Sequence, residues 1–169
     1  QSQLRERGIS RHVVERWVAQ RRLERCAPRV WRLAGAPIAW EQQLMKGLLS
    51  LGPDAAISHR AAARLHRLDR ATAEVVEFLV PRGQRHGRIE ETVRSSKLTR
   101  PWDVIVMRGL RVTSATRTIL DLANIGQHPE LVMAAIDSAI RMQLSSPEVI
   151  RNRLFDIRRR GRAGVRLVD

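Results

Sequence analysis

The sequence has few of the residues from which cross-links and membrane segments are built. It contains one cysteine, Cys26, among 169 residues. A single cysteine excludes an internal disulfide framework and any zinc site made of several cysteines, and it is typical of a reducing, cytoplasmic compartment. The apolar runs fall far short of a bilayer span, and no segment resembles a signal peptide. We therefore expect a cytoplasmic protein without a membrane partner.

Patterns typical of catalysis and metal binding are also scarce. None of the five histidines is paired at the HxH or HxxxH spacing of metal ligands, and no carboxylate pair accompanies them. These histidines are His12, His59, His66, His86 and His128. With no tyrosine and two phenylalanines, single-strand binding by aromatic stacking has little support. The sequence predicts no enzyme, no metal and no cofactor.

Acidic residues are outnumbered by basic ones. The chain has 17 Asp and Glu against 31 Lys and Arg, which gives a net charge of +14. All but two of the basic residues are arginine, whose rigid donor fork suits phosphates and guanines. The excess is concentrated in residues 1–35, 81–113 and 141–169, with nearly balanced or acidic segments between them. This distribution indicates basic faces and a polyanionic partner, most simply nucleic acid.

Residues 8–33 combine a helix pattern with a strand pattern. Gly8 suits the end of a preceding helix, and Ser10 suits the N-cap of the next helix, which runs from Arg11 to about Gln20. The segments LERC and VWRL, separated by APR, predict a β-hairpin. Helix, tight turn, helix and hairpin is the order of a winged helix-turn-helix. We assign residues 1–35 to such a module.

A winged helix-turn-helix places its second helix in the major groove of double-stranded DNA and its wing on the backbone. Arginine binds guanine bidentately and glutamate can accept from cytosine, so the outward side chains of this helix are candidates for reading bases. The base-reading candidates are Arg11, His12, Glu15, Arg16 and Gln20. The backbone candidates are Ser10, Arg21, Arg22, Arg25 and Arg29. The alternative is a solvated helix face and a basic surface without a specific use.

Residues 40–169 predict an α+β domain, separated from the module by the boundary segment AGAPIA at 34–39. Helices are predicted at 40–51, after Ser58, after Ser114, and at 129–143 and 147–160; β-like segments lie at 74–81, 88–95 and 102–113. In the helix after Ser114, Arg117 and Asp121 stand four residues apart, a spacing that predicts an ion pair. We expect a small, mainly antiparallel sheet with flanking helices.

The segment PRGQRHGR at 81–88 is predicted to be a basic turn between the first two of these strands. Arg82, Arg85 and Arg88 make it a candidate for a second phosphate contact or for docking of an acidic partner. The alternative is a solvated, mobile hairpin tip.

Three motifs resemble a known family when they are taken together. They are AAISHRAAARLHRL from Ala55, RVTSATRTILDLA at 111–123 and RGRAGVRL at 160–167. In this order they resemble the AbiEi-type antitoxin-like transcriptional regulators, an actinobacterial group associated with type IV toxin–antitoxin systems. The resemblance implies a winged helix-turn-helix before an α+β domain, DNA binding and autoregulation. Where a toxin is encoded nearby, it also implies neutralisation of a nucleotidyltransferase-like toxin.

The chain departs from this family in three ways. Such winged modules usually begin with another helix, for which there is room for only a few residues before Arg7. Many family members continue into a restriction-endonuclease-like domain, whereas this sequence stops at Asp169. The wing segment APRVW lacks the usual glycine, so Pro28 is expected to shape its turn. The module is therefore expected to lack its leading helix, and the second domain is expected to be truncated.

Three functions remain open on the sequence. The favoured one is a sequence-specific DNA-binding repressor, and recognition of two-fold operators would fit a homodimer. The second is the DNA-targeting part of a larger restriction-endonuclease-like protein whose catalytic domain lies beyond residue 169. The third is a protein-binding antitoxin whose basic surface meets an acidic toxin.

Overall fold

Helices and strands occupy most of the residues whose positions are described. A computed structural model describes residues 2–72, 75–87, 89–97 and 100–158. Within these ranges the chain forms seven α-helices and two β-sheets, which confirms the mixed helix and strand class. The motif at 160–167 lies outside the described residues.

The N-terminal part forms the predicted order of elements. These are α1 (Ser2–Glu6), α2 (Arg11–Ala19), β1 (Leu23–Ala27) and β2 (Val30–Leu33). Gly8 ends the first helix with a φ of +72°, and the Ser10 hydroxyl accepts from the Val13 N–H at 3.4 Å as the cap of α2. The two strands pair antiparallel, so the helix limits and the hairpin agree with the prediction. The assignment as a winged helix-turn-helix stays a prediction.

The hairpin turn has no glycine, and another residue adopts the left-handed conformation that glycine often provides in such turns. Arg29 itself adopts the left-handed conformation, with a φ of +64°, directly after Pro28. The pairing shifts register between Arg25 and Ala27, so Cys26 forms a bulge that adds twist to this short ribbon. The turn therefore depends on the conformation of Arg29 as well as on the predicted Pro28.

The remaining elements surround a five-stranded sheet. The helices are α3 (Trp40–Leu51), α4 (His59–Leu65), α5 (Ala115–Asn124), α6 (Pro129–Arg141) and α7 (Pro147–Arg158). The strands are β3 (Ala56–Ile57), β4 (Glu77–Pro81), β5 (Thr92–Ser96), β6 (Val104–Met107) and β7 (Leu110–Thr113). A short 3-10 turn, Pro101–Asp103, precedes β6. The predicted helices are thus present within the described ranges.

The strand order is β5-β4-β3-β7-β6, and this sheet is mixed. The pairs β4–β5 and β3–β7 are parallel, whereas β3–β4 and β6–β7 are antiparallel. The prediction of a mainly antiparallel sheet is therefore wrong. The reason is that two of the four pairings join strands that are brought together by long connections, and local sequence patterns carry no signal for them.

The segment between β4 and β5 is a crossover and not a hairpin turn. Because these strands are parallel, with Pro81 opposite Ser96, the connection 82–91 must return along the whole length of a strand. Its ten residues can span about 33 Å, roughly twice the length of a five-residue strand. The Gln84 side chain donates to the Leu51 carbonyl at 3.4 Å, which ties the crossover to the end of α3. The alternative that this segment is a hairpin tip is therefore wrong, because a hairpin joins antiparallel strands.

The predicted β-like segment 102–113 contains a hairpin. Arg108 and Gly109, with φ values of +50° and +77°, form a two-residue turn between β6 and β7. Two successive positive φ angles match the right-handed twist of the strands, which is why such turns are favoured in tight hairpins.

The main core lies between α3 and one face of the sheet. Its largest fully buried apolar side chain is Phe78 of β4, which packs with Leu44 and Ile57. A Cβ at position 47 of α3 would lie 2.1 Å from the Phe78 ring, so the close approach of helix and sheet requires Gly47. A second core joins α5 to α6 through Ile119 and further small and apolar side chains. The hairpin also contacts α3, which fixes the N-terminal part against this domain.

Candidate nucleic-acid interface

The outward face of α2 carries four of the five predicted base-reading side chains, and the fifth, Gln20, is the C-cap residue of this helix. Arg11, His12, Glu15, Arg16 and Gln20 are exposed, whereas Val14 on the opposite face is buried. The pattern follows the helical repeat, which places apolar residues inward and polar residues outward. The structure therefore brings the five candidates together on one accessible surface.

Two of these candidates form an ion pair with each other. Arg11 Nε donates to Glu15 Oε1 at 2.7 Å, one turn apart on the helix. Both side chains are largely exposed, so this pair contributes little to stability. A guanine edge would have to replace Glu15 as the partner of Arg11. Arg16 has no carboxylate partner among the described residues, which makes it the more available of the two arginines.

Most of the predicted backbone arginines also lie open to solvent. Arg21, Arg22 and Arg25 are exposed and have no carboxylate partner within the described ranges. The Arg22 guanidinium lies over the Trp17 ring, 5.6 Å from its centroid, and this contact keeps the cation beside α2. Ser10 caps the helix and Arg29 is exposed in the hairpin turn. These side chains lie at the two ends of α2 and in the hairpin that follows it.

Sequence reasoning did not single out the pair that neutralises part of the hairpin. Arg32 Nη2 donates to Glu24 Oε2 at 3.2 Å across the two strands. The hydrogen bond from Arg32 lowers the pKa of the Glu24 carboxyl below its usual value. Residues 24 and 32 face each other in the strand register, so the hairpin assignment itself contained this signal.

Left-handed backbone at arginine is not a distinguishing mark of this surface. Arg21 and Arg29 have positive φ angles, but so do Arg67, Arg70 and Arg108 in the second part of the chain. Such conformations are uncommon for residues other than glycine. Because they occur on both parts of the chain, they give no argument for DNA contact.

The second predicted contact lies on the crossover between β4 and β5. Arg82 and Arg85 are exposed there, whereas Arg88 lies outside the described residues. These two arginines follow the end of β4 and belong to the α+β part of the chain. We treat them as a separate candidate surface.

A buried ion-pair cluster in the second part was largely missed by sequence reasoning. The predicted pair of Arg117 and Asp121 is present at 2.9 Å, and both side chains are buried. Arg117 also contacts Asp103 at 3.0 Å, and Arg153 of α7 binds the other oxygen of Asp103 at 3.0 Å. Arg153 further binds Asp156. The cluster thus joins the 3-10 turn, α5 and α7 through charged groups.

Two histidines at α4 and a carboxylate of β4 are buried. Burial lowers the pKa of His59 and of His66 below the ordinary value of 6.5. His66 Nε2 donates to the Thr113 carbonyl at 2.7 Å, and His59 Nδ1 contacts the Ser58 hydroxyl at 2.8 Å. Burial acts to raise the pKa of Glu77, but the hydrogen bonds and charge of Arg60 outweigh it, so this pKa is lowered.

We expect the free energy of unfolding to fall as the pH is lowered from 7 to 5. Below about pH 6.5 the unfolded chain binds protons at His59 and His66 that the folded protein does not, and stability is lost in that window. Glu77 adds a further loss below about pH 4.5, where the unfolded carboxylate takes up its proton first. Urea titrations at half-unit pH steps measure this. An equal midpoint at pH 7 and pH 5 would contradict the expectation.

No protein-family model matches the chain, and no curated protein matches it either. Within the described ranges, no helix is long and apolar enough to cross a membrane. Over the same residues, no three histidine, cysteine, aspartate or glutamate side chains are grouped closely enough to hold a metal ion.

Proposed function

We propose that the protein is a sequence-specific double-stranded DNA-binding regulator that acts through α2 and the hairpin. The observation that carries this proposal is the exposed face of α2, on which the Arg16 guanidinium has no carboxylate partner among the described residues and lies beside further exposed polar side chains. An α-helix with such a face has the width and the donors that the major groove accepts.

The arrangement of cations around α2 supports a division between positioning and readout. Phosphate contacts fix the position of a protein on DNA, and base contacts provide specificity. Arg21, Arg22 and Arg25 would bind phosphates, and the N-terminus of α2 at Ser10 would accept another. Arg16, with Arg11 once it releases Glu15, would read guanine edges. Binding over a promoter would then repress transcription by occlusion.

The family resemblance leads us to propose the operator and the partner. An autoregulatory antitoxin binds upstream of its own gene, so that DNA is the first duplex to test. A nucleotidyltransferase-like toxin would be the protein partner where one is encoded nearby, and a homodimer would match a two-fold operator.

The decisive experiment compares binding to the DNA upstream of the gene with binding to a random duplex of the same length and base composition. Titrations at several salt concentrations separate the non-specific phosphate contribution from specific recognition. We expect the upstream duplex to bind at least about 10³-fold more tightly at physiological salt. Equal affinities would reject sequence-specific regulation.

A further inference from the structure

A basic groove lies in the α+β part of the chain, outside the face of α2. It has a volume of about 630 Å³. Its basic lining residues are Arg82, Lys97, Arg100 and Arg111, and its one acidic lining residue is Asp54. Four cations and one carboxylate give this groove a local excess of positive charge.

Strand register places two of these cations side by side. Arg82 and Lys97 are the first residues after the carboxyl ends of β4 and β5, and Pro81 pairs with Ser96 at those ends. The Arg82 N–H donates to the Ser96 carbonyl at 3.0 Å, which continues the pairing beyond the strands. The two cations are therefore brought together by the sheet itself.

The other two basic side chains are fixed by local contacts. Arg111 Nε donates to the Ala55 carbonyl at 3.2 Å, so its direction is set by a backbone group and its charge is not neutralised by that contact. Arg100 Nη2 lies 3.5 Å from Asp156 Oδ1, and both side chains are partly exposed. Neither Arg82 nor Lys97 has a carboxylate partner among the described residues. The positive charge of the groove is therefore only partly compensated.

We propose that this groove is a phosphate-binding site. Gathering like charges in one concave site is unfavourable unless an anion relieves the repulsion. A tetrahedral phosphate group suits these donors, because arginine and lysine provide charge-assisted hydrogen bonds to its oxygens. The phosphate belongs either to a small phosphorylated ligand or to the backbone of a nucleic acid. The site does not depend on the proposed role of α2.

The test uses inorganic pyrophosphate as the probe, measured by isothermal titration calorimetry at low salt on the full chain. We expect the double variant Arg82→Gln/Lys97→Gln to bind pyrophosphate at least about 10-fold more weakly than the wild type, because two charge-assisted contacts are lost. The matched control is Arg108→Gln/Arg151→Gln, which removes two exposed charges that do not line the groove. It should bind within about twofold of the wild type, since it retains the groove contacts. Circular dichroism verifies that both variants are folded.

A second experiment decides whether the phosphate belongs to a small phosphorylated ligand or to the backbone of a nucleic acid. Binding of a random duplex is measured over a series of salt concentrations. Sequence-specific recognition by α2 does not contribute to the affinity for such a duplex. If the ligand is the DNA backbone, the log–log salt slope of Arg82→Gln/Lys97→Gln should be flatter by about 1.8 than that of the control. Loss of pyrophosphate binding with an unchanged slope would support a small phosphorylated ligand.

No pyrophosphate binding by the wild type, or an equal loss in the control variant, would overturn the site. Failure of the upstream duplex to outcompete random DNA would reject the proposed function and leave this site unaffected.

Discussion

Replacing Arg117 by leucine is expected to lower the free energy of unfolding by about 3–5 kcal/mol. The guanidinium is fully buried and holds two buried carboxylates, Asp103 and Asp121, at 3.0 and 2.9 Å. Without it, Asp121 keeps a buried charge and loses its guanidinium partner, and Asp103 keeps Arg153 and the Arg100 backbone N–H as partners. An unpaired buried charge is costly because water no longer solvates it. Chemical denaturation of the variant and the wild type at pH 7 measures the difference.

Two further variants separate this mechanism from a general loss of arginine. Arg141→Ala removes a largely exposed ion pair with Asp69 and should cost at most about 1 kcal/mol. The double variant Arg117→Leu/Asp121→Leu removes the uncompensated charge together with its partner, and we expect it to be more stable than Arg117→Leu alone. A single variant as stable as the Arg141→Ala control would show that the buried cluster contributes little.

Duplex binding is expected to weaken about 10³-fold between 50 and 200 mM salt. If the protein makes six phosphate contacts, the log–log slope is roughly −5. Arg22→Ala should weaken binding to every duplex and flatten this slope by about 0.9, because it removes one phosphate contact. Fluorescence anisotropy over a salt series measures both effects.

Variants of α2 should change specificity instead. Arg16→Ala is expected to reduce the preference for the upstream duplex by about 10- to 100-fold, as loss of one bidentate guanine contact does. Arg11→Ala should have a smaller effect, because Glu15 already competes for its guanidinium at 2.7 Å. The control is Arg151→Ala, an exposed cation of α7. If Arg16→Ala and Arg151→Ala lower the preference equally, the assignment of α2 as the reading helix is wrong.

The helices and the N-terminal hairpin could be predicted because their signals are local. Ser10 and Ser114 each stand before an amphipathic run, and each side chain accepts from the backbone three residues later. The pair of Arg117 and Asp121 was predicted for the same reason, since a spacing of four places both on one helix face. Such signals extend over one helical turn, and the sequence displays them directly.

One of the two candidate sites could be predicted from the sequence, and the other only in part. The exposed face of α2 follows from helical periodicity alone. The basic crossover is recognised by its composition, but the mainly antiparallel sheet predicted from the sequence does not give the parallel pairing of the strands that it joins. Because β4 and β5 are parallel, Arg82 lies next to Lys97 and not opposite a residue of its own turn. The sequence contains no local pattern that selects between these two pairings.

By itself, the sequence determined the charge excess, the helix limits and the hairpin at 23–33, because each depends on composition or on neighbours within a few residues. Only the tertiary structure decided that Arg117 is fully buried and bound by Asp103, fourteen residues away, and that four basic side chains share one groove. The physical reason is that strand order and burial are set by packing of the whole chain. A charged residue is exposed or buried according to which distant segments cover it, and that choice is made only when the sheet and its helices assemble.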